Sequence, residues 1–260
     1  MIKAAITAVA CAGAEKYKLA RQHPARYLAG AAVAGAFIFI GAVLSSLSAA
    51  WLYSDYLPLA KLVGAATFSA ALILVVLLGG ELFTGCNLVM GVALYEGRVS
   101  PAALLRVWVL AYVGNFIAIL ALSVLLAGSG ASRDLLGAYL AILVPPKLET
   151  AWYVLLLRGI LCNFLVCIGV FAGFRVQNEC AKALVIALAI TTFVLCGFEH
   201  SIANMAYFAL YALILPGADL AGMAWNLLWV TIGNCLGGAV LLGLPLWYWA
   251  GGNHASSQSE

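Results

Sequence analysis

Long apolar runs separated by short polar punctuation fill the chain. A helix needs about 20 apolar residues to cross the ~30 Å hydrocarbon layer of a bilayer, and the pattern predicts six such spans. The first runs from about Tyr27 to Leu52, the second from about Leu59 to Tyr95, and the third from Pro101 to about Leu126. The fourth covers about Leu148 to Phe174, the fifth Ala183 to about Leu213, and the sixth about Gly222 to Trp249. Ser100-Pro101 reads as the cap and first turn of the third span. Glu96-Gly97-Arg98 and Pro216-Gly217-Ala218-Asp219 read as turns. Trp51, Tyr53 and Tyr56, and later Trp247-Tyr248-Trp249, suit membrane interfaces. Residues 1–25 form an amphipathic segment that suits an interfacial helix. Residues 251–260 are polar and are expected to be a disordered cytoplasmic tail.

Two spans are interrupted. Gly79-Gly80-Glu81-Leu82-Phe83-Thr84-Gly85-Cys86-Asn87 breaks the second, and Gly197-Phe198-Glu199-His200-Ser201-Ile202-Ala203-Asn204-Met205 breaks the fifth. A charge at the bilayer centre costs roughly 2.5–3.5 kcal/mol on insertion scales, so such clusters mark functional sites. Both stretches read Gly-x-Glu, and their glutamates lie 118 positions apart. Gly114-Asn115 recurs as Gly233-Asn234 at an offset of 119. The chain therefore reads as one transmembrane domain, residues 26–250, made of two repeats. Repeat one covers about 26–127 and repeat two about 148–250. The linker between them opens at Gly128-Ser129-Gly130 and holds Pro145, Pro146 and Lys147. Three spans per repeat force opposite orientations, so the repeats are inverted. Lys and Arg residues distribute nine against four in favour of the side holding both termini, which places the termini in the cytoplasm.

Composition narrows the class. The chain of 260 residues is 65% hydrophobic and 9% charged, with a mean hydropathy of +1.08, which excludes a soluble domain. The net charge of +3, without a basic stripe, gives no reason to expect nucleic acid as a partner. The seven cysteines form no C-x-x-C pair and read as small buried hydrophobes. No metal site, no cofactor and no enzymatic nucleophile–base set is expected.

The polar residues of the breaks suggest anion chemistry. Half-helices beginning near Asn87 and Asn204 would aim their positive ends at the midplane. Glu81 and Glu199 are expected to be structural, accepting the free backbone N–H groups of the broken helices. His200 is the one histidine inside a span and can titrate near physiological pH. The Thr84 hydroxyl can bond to the imidazole or to a passing anion. Lys147, at the outer mouth of span four, reads as a lure for anions. Phe68, Leu72, Leu82, Phe83, Val166 and Phe193, taken alone, look like membrane core.

These motifs carry a resemblance. Gly-x-Glu-Leu-Phe-Thr-x-x-Asn in span two, Phe-Glu-His-Ser-Ile-Ala-Asn-Met in span five and the two Gly-Asn pairs resemble the formate/nitrite transporter family, from about His23 to Trp249. Within it the chain looks most like the hydrosulfide channel branch. The resemblance implies an aquaporin-like all-α fold with broken helices two and five, a homopentamer in the bilayer with one pore per protomer, and no catalysis. It makes Leu82, Phe83 and Thr84 the loop in the broken second helix. His200 becomes the central histidine, Asn204 the start of the second half-helix and Lys147 the vestibule lysine. Phe68, Leu72, Asn163, Val166, Phe193 and Ala203 fall at two constrictions and the chamber between them. Gly85-Cys86 is where this chain is individual. The implied function is a channel or channel-like transporter in the cytoplasmic membrane for formate, nitrite or hydrosulfide, with protonation at His200 as one route. A neutral-solute pore of the water or glycerol type is the alternative. It would want Asn-Pro-Ala-like breaks and a filter arginine, which this sequence lacks.

Overall fold

The computed structural model describes residues 2–252, so the tail reading for 251–260 lies almost wholly outside the described residues. Those residues form helices and connecting turns, with no strand among them. The N-terminal helix is α1 (Ile2–Gln22), followed by α2 (Pro24–Ala50), α3 (Leu57–Phe68) and α4 (Ala70–Leu78). Then come α5 (Phe83–Tyr95), α6 (Pro101–Ser129), α7 (Arg133–Leu143) and the single turn α8 (Pro145–Leu148). The second half holds α9 (Trp152–Arg175), α10 (Glu179–Leu195), α11 (Ser201–Ile214) and α12 (Leu220–Cys235). A π-helical stretch over Leu236–Gly243 leads into α13 (Leu244–Trp249). Among the described residues, five stretches are long and apolar enough to cross a membrane: Pro24–Ala50, Leu57–Leu78, Pro101–Ser129, Trp152–Arg175 and Leu220–Trp249. Two shorter apolar helices, α5 and α11, follow the two breaks, and α10, which precedes the second break, has 17 residues.

Both breaks have one backbone cause. Gly79 (φ 89°) and Gly197 (φ 68°) lie in the region that favours glycine and end α4 and the turn after α10. The chain then runs extended through Leu82 and His200 before turning helical at Phe83 and Ser201. The half-helices thus start four and three residues earlier than expected, and Thr84 sits in the first turn of α5 rather than in a loop. Gly85, which suggested a continued break, is instead helical and lies against Val170.

Two further helices lie outside the predicted spans. The linker between the repeats contains α7, because Leu136 and Leu140, one turn apart, bury completely against the core. The apolar face of α1 packs against protein. Ile6, Val9 and Ala10 pack with Leu88, Val89 and Val92 of α5 and Cys167 of α9.

Glycines let the long helices of each repeat approach closely. In the first half Gly35 of α2 meets the backbone of Asn115 on α6, and Gly114 meets Ala31. In the second half Gly159 of α9 and Gly233 of α12 face each other, a Cβ on either lying about 3 Å from the other's Cα. Small residues at such crossings are the usual device of membrane helices. They also bring the neighbouring Asn115 and Asn234 within reach of the breaks. Gly233→Leu should lower the unfolding temperature of the purified protein clearly, an overpacking cost of about 1–3 kcal/mol. Gly128→Leu, at a helical position with open space around it, should leave it nearly unchanged.

Candidate functional site at the helix breaks

A helix starting inside an apolar slab exposes N–H groups that water cannot satisfy. Two asparagines meet this need in the same way. The backbone N–H of Phe83 donates to Asn115 Oδ1 (3.0 Å), while Asn115 Nδ2 donates to the carbonyls of Ala31 (2.7 Å) and Glu81 (3.1 Å). The N–H of Ser201 donates to Asn234 Oδ1 (2.9 Å), while Asn234 Nδ2 donates to the carbonyls of Gly159 (2.8 Å) and Glu199 (3.0 Å). The N–H of Glu81 reaches the carbonyl of Gly30, and that of Glu199 the carbonyl of Arg158. The expectation that the glutamate side chains cap the half-helices is therefore corrected. A neutral amide donates and accepts at once, so it ties two helices and the extended segment of the break together without burying a charge.

The glutamate side chains pair with lysines instead. Glu199 Oε1 and Oε2 lie 2.9 and 2.8 Å from Lys147 Nζ, and Glu199 Oε2 accepts from Asn204 Nδ2 at 2.6 Å. Asn204 Nδ2 also donates to Asn226 Oδ1, whose amide donates to the carbonyl of Lys147. In the first half Glu81 Oε2 lies 2.5 Å from Lys16 Nζ of α1. Cys86 Sγ sits 3.7 Å from the same oxygen and 3.5 Å from the Tyr27 hydroxyl. Cys86 follows Glu81 by the same five positions by which Asn204 follows Glu199. Burial opposes the charge on Lys16, yet its pKa is raised, with the bonded Glu81 carboxylate favouring the ammonium form. Lys147, expected as a free cation, is instead ion-paired. In the sequence Lys16 counts only toward the charge bias, and its partnership across 65 positions leaves no local signal.

Thr84 and His200 meet, 116 positions apart. Thr84 Oγ1 lies 3.0 Å from His200 Nε2. His200 is also the N-cap of α11, its Nδ1 accepting from the N–H of Ala203 at 3.0 Å. An Nδ1 that accepts carries no proton, so the neutral ring is protonated at Nε2 and donates to Thr84. The Thr84 hydroxyl keeps its own proton free to donate elsewhere. Charging the ring requires a proton on Nδ1 and so the loss of the Ala203 bond.

Phe193 stacks on the His200 ring (5.9 Å, 20°), and Phe68 meets Phe193 edge-on (5.8 Å). Leu72, Leu82, Val166 and Ala203 are buried. Phe83 turns to α6, against Tyr112 (5.0 Å) and Trp108 (6.4 Å). Asn163 Nδ2 lies within 3.2 Å of three acceptors, the carbonyls of Asn234 (2.6 Å) and Thr84 (3.2 Å) and Asn87 Oδ1 (2.9 Å). It thus braces the turn that presents Thr84. Gly238 of the π-helical stretch leaves room for Asn163 and Asn87.

Two cavities approach the breaks from different elements. One of about 330 Å³ is lined by Lys16, Gly79 to Leu82 and Cys86. The other, about 430 Å³, is lined by Lys61, Lys147, Arg158, Glu199 and Tyr207. Thr84 and His200 line neither and are 0% and 3% exposed. The arrangement is two open cavities, each with charged residues on its wall, and a buried centre where a hydroxyl meets an imidazole.

The sequence profile described as "Formate/nitrite transporter" matches residues 3–248. The nitrite transporter NirC of Escherichia coli (strain K12) is 34% identical over 234 residues, covering 89% of this chain and 86% of that protein. A solved structure described as an FNT family ion channel superposes with a TM-score of 0.86 at 31% identity, covering 94% of this chain and 98% of that one. A pentameric formate channel with formate bound superposes with a TM-score of 0.76 at 28% identity, covering 88% and 98%.

The ion pair at the second break yields a direct test. Lys147→Ala leaves a buried carboxylate (its side chain 4% exposed) without its cation. It should destabilise the purified protein by about 3 kcal/mol, read as a lowered unfolding temperature. The double variant Lys147→Ala/Glu199→Gln should recover most of that loss.

Proposed function

This chain belongs to the formate/nitrite transporter family, and we propose that it passes small monovalent anions of weak acids across the cytoplasmic membrane. Formate and nitrite are the substrates that its relatives' names supply. Hydrosulfide joins them on the likeness of the chain as a whole to the hydrosulfide branch, and on chemistry: it too is a small monovalent anion that a proton neutralises. The protein works as a homopentamer, as the formate channel does, with one pore per protomer. Each protomer has six spans in two inverted repeats, an aquaporin-like layout, and both termini lie in the cytoplasm. The matched hydrogen bonds at Asn115 and Asn234 support the repeat.

The observation that carries the reading is the Thr84–His200 contact, where the two repeats meet at a buried centre. Phe68, Leu72, Leu82, Val166, Phe193 and Ala203 form the apolar constrictions on either side, and Phe83, at the start of α5, packs against α6 behind them. A bare anion loses its hydration in such a passage. The Thr84 O–H, released by the N–H it receives from His200, donates to the anion at that point. The positive ends of α5 and α11 add fixed partial charge. Asn163 and Asn204 hold the two half-helices in register. Neutralising the anion takes the imidazolium: a proton from water first charges the ring at Nδ1. Thr84 then gives its hydroxyl proton to the anion and takes the Nε2 proton in its place, which leaves a neutral ring to be recharged from water between events. Recharging competes with the Ala203 cap bond, which ties proton transfer to a small movement at the start of α11.

A neutral-solute pore needs no titratable group at its centre, and the pH dependence separates the two readings. His200→Asn keeps size and hydrogen bonding but removes the titrating ring. Stopped-flow formate flux into proteoliposomes, corrected for the leak of protein-free vesicles, should vary with pH in the wild type and be nearly flat in His200→Asn. Pentamer assembly should be retained. Curves of the same shape would make His200 a purely structural cap.

A further inference from the structure

The lysine expected to collect anions has its charge cancelled. Lys147 Nζ is bonded to both oxygens of Glu199 and lies 5.9 Å from the Tyr207 ring centre. A compact pair of opposite charges has a field that dies away within a few ångströms. Yet the same cavity of about 430 Å³ is also lined by Lys61 from α3 and Arg158 from α9. Both are exposed, and neither side chain has a hydrogen-bonding or ionic partner among the described residues. Three cations face one carboxylate there, a net charge of +2. The cavity at the other break holds only Lys16 and Glu81, a net charge of zero. The repeats share their backbone design but not the charge of their mouths.

Resting on the anion-transport reading above, we infer that Lys61 and Arg158, and not Lys147, recruit monovalent anions to the pore, through the cavity beside Glu199. The backbone holds Arg158 at the break, where its carbonyl receives the N–H of Glu199 at 3.3 Å. A guanidinium stays charged at any physiological pH, so recruitment persists where the His200 step varies. Unpaired charges on the walls of a low-dielectric cleft raise the local concentration of counter-ions and speed access by about 10-fold or more. At low occupancy and without a voltage, permeability is the same from either side. Vesicles of mixed orientation therefore report the effect fully.

The experiment measures uptake of radiolabelled formate, well below saturation, into proteoliposomes at ionic strengths of about 0.01 M and about 1 M, where screening lengths are ~30 and ~3 Å. Relative to wild type, Lys61→Gln/Arg158→Gln should be slower by about threefold or more at low salt and within about twofold at high salt. Lys147→Gln/Glu199→Gln, which keeps the net charge, should retain the wild-type salt dependence whatever its absolute rate. An unchanged salt dependence in the first variant, or its loss in the second, overturns the inference. A second readout needs no transport. With Tyr139→Cys on the cavity wall and the exposed Cys11, Cys180 and Cys196 changed to Ser, an anionic methanethiosulfonate should react about tenfold faster than a cationic one, each taken relative to its rate with a free thiol in solution, and the Lys61/Arg158 changes should bring that ratio near one. Wild type that moves neither formate nor nitrite but keeps that ratio would defeat the transport reading and leave the charged mouth standing. A ratio near one before any charge is removed would defeat the charged mouth itself.

Discussion

A helix that begins in the middle of an apolar slab must hand its first N–H groups to something other than water. Everything at the centre of this protein depends on how that demand is met. Asn115 and Asn234 meet it with matching bonds, each accepting from the first N–H of a half-helix and donating to two carbonyls on either side. They can do so only because Gly35, Gly114, Gly159 and Gly233 let the long helices nearly touch. With the breaks satisfied by neutral amides, Glu81 and Glu199 are free to take lysine partners, and the first turns of α5 and α11 can present Thr84 and His200 to each other.

Much of this is legible in the sequence because it is periodic. Apolar runs, Gly-x-Glu breaks and Gly-Asn pairs repeat at nearly one offset, and composition forces the membrane class. What stays hidden is pairing across the chain. Glu199 reads as a capping carboxylate until Asn234, 35 positions on, is seen bonded to its carbonyl. Lys16 reads as one more cytoplasmic charge until α1 folds back onto α5. Gly85 and Asn87 make the breaks look longer than they are, since a helical glycine packed against Val170 carries no local mark. The α7 helix is masked in the sequence because flanking glycines and prolines outweigh its single apolar stripe. Phe83 reads as a constriction residue, but its neighbours Tyr112 and Trp108 are nearly a span away in sequence.

The internal repeat builds a near-symmetric frame, and the chemistry lies in where the halves differ. The residue five positions after the glutamate is Cys86 in one half and Asn204 in the other. One half contributes a hydroxyl to the centre and the other an imidazole. An imidazole that also caps a helix is constrained in a useful way: its Nδ1 is committed to Ala203, so only Nε2 can serve Thr84. Orientation, tautomer and hydrogen-bond direction are then set by the backbone of α11 rather than by the solute. Preorganised donors of this kind stabilise charge in a dry site without reorganisation.

The tautomer of His200 is the central claim in its most direct form. Solid-state ¹⁵N NMR of imidazole-labelled protein in lipid bilayers at neutral pH resolves the two ring nitrogens, and His200 is identified by its loss in His200→Asn. The expected spectrum shows Nε2 protonated and Nδ1 bare, with Nδ1 close to the Ala203 amide proton. A proton on Nδ1 would contradict the cap, the direction of the bond to Thr84 and the mechanism built on them.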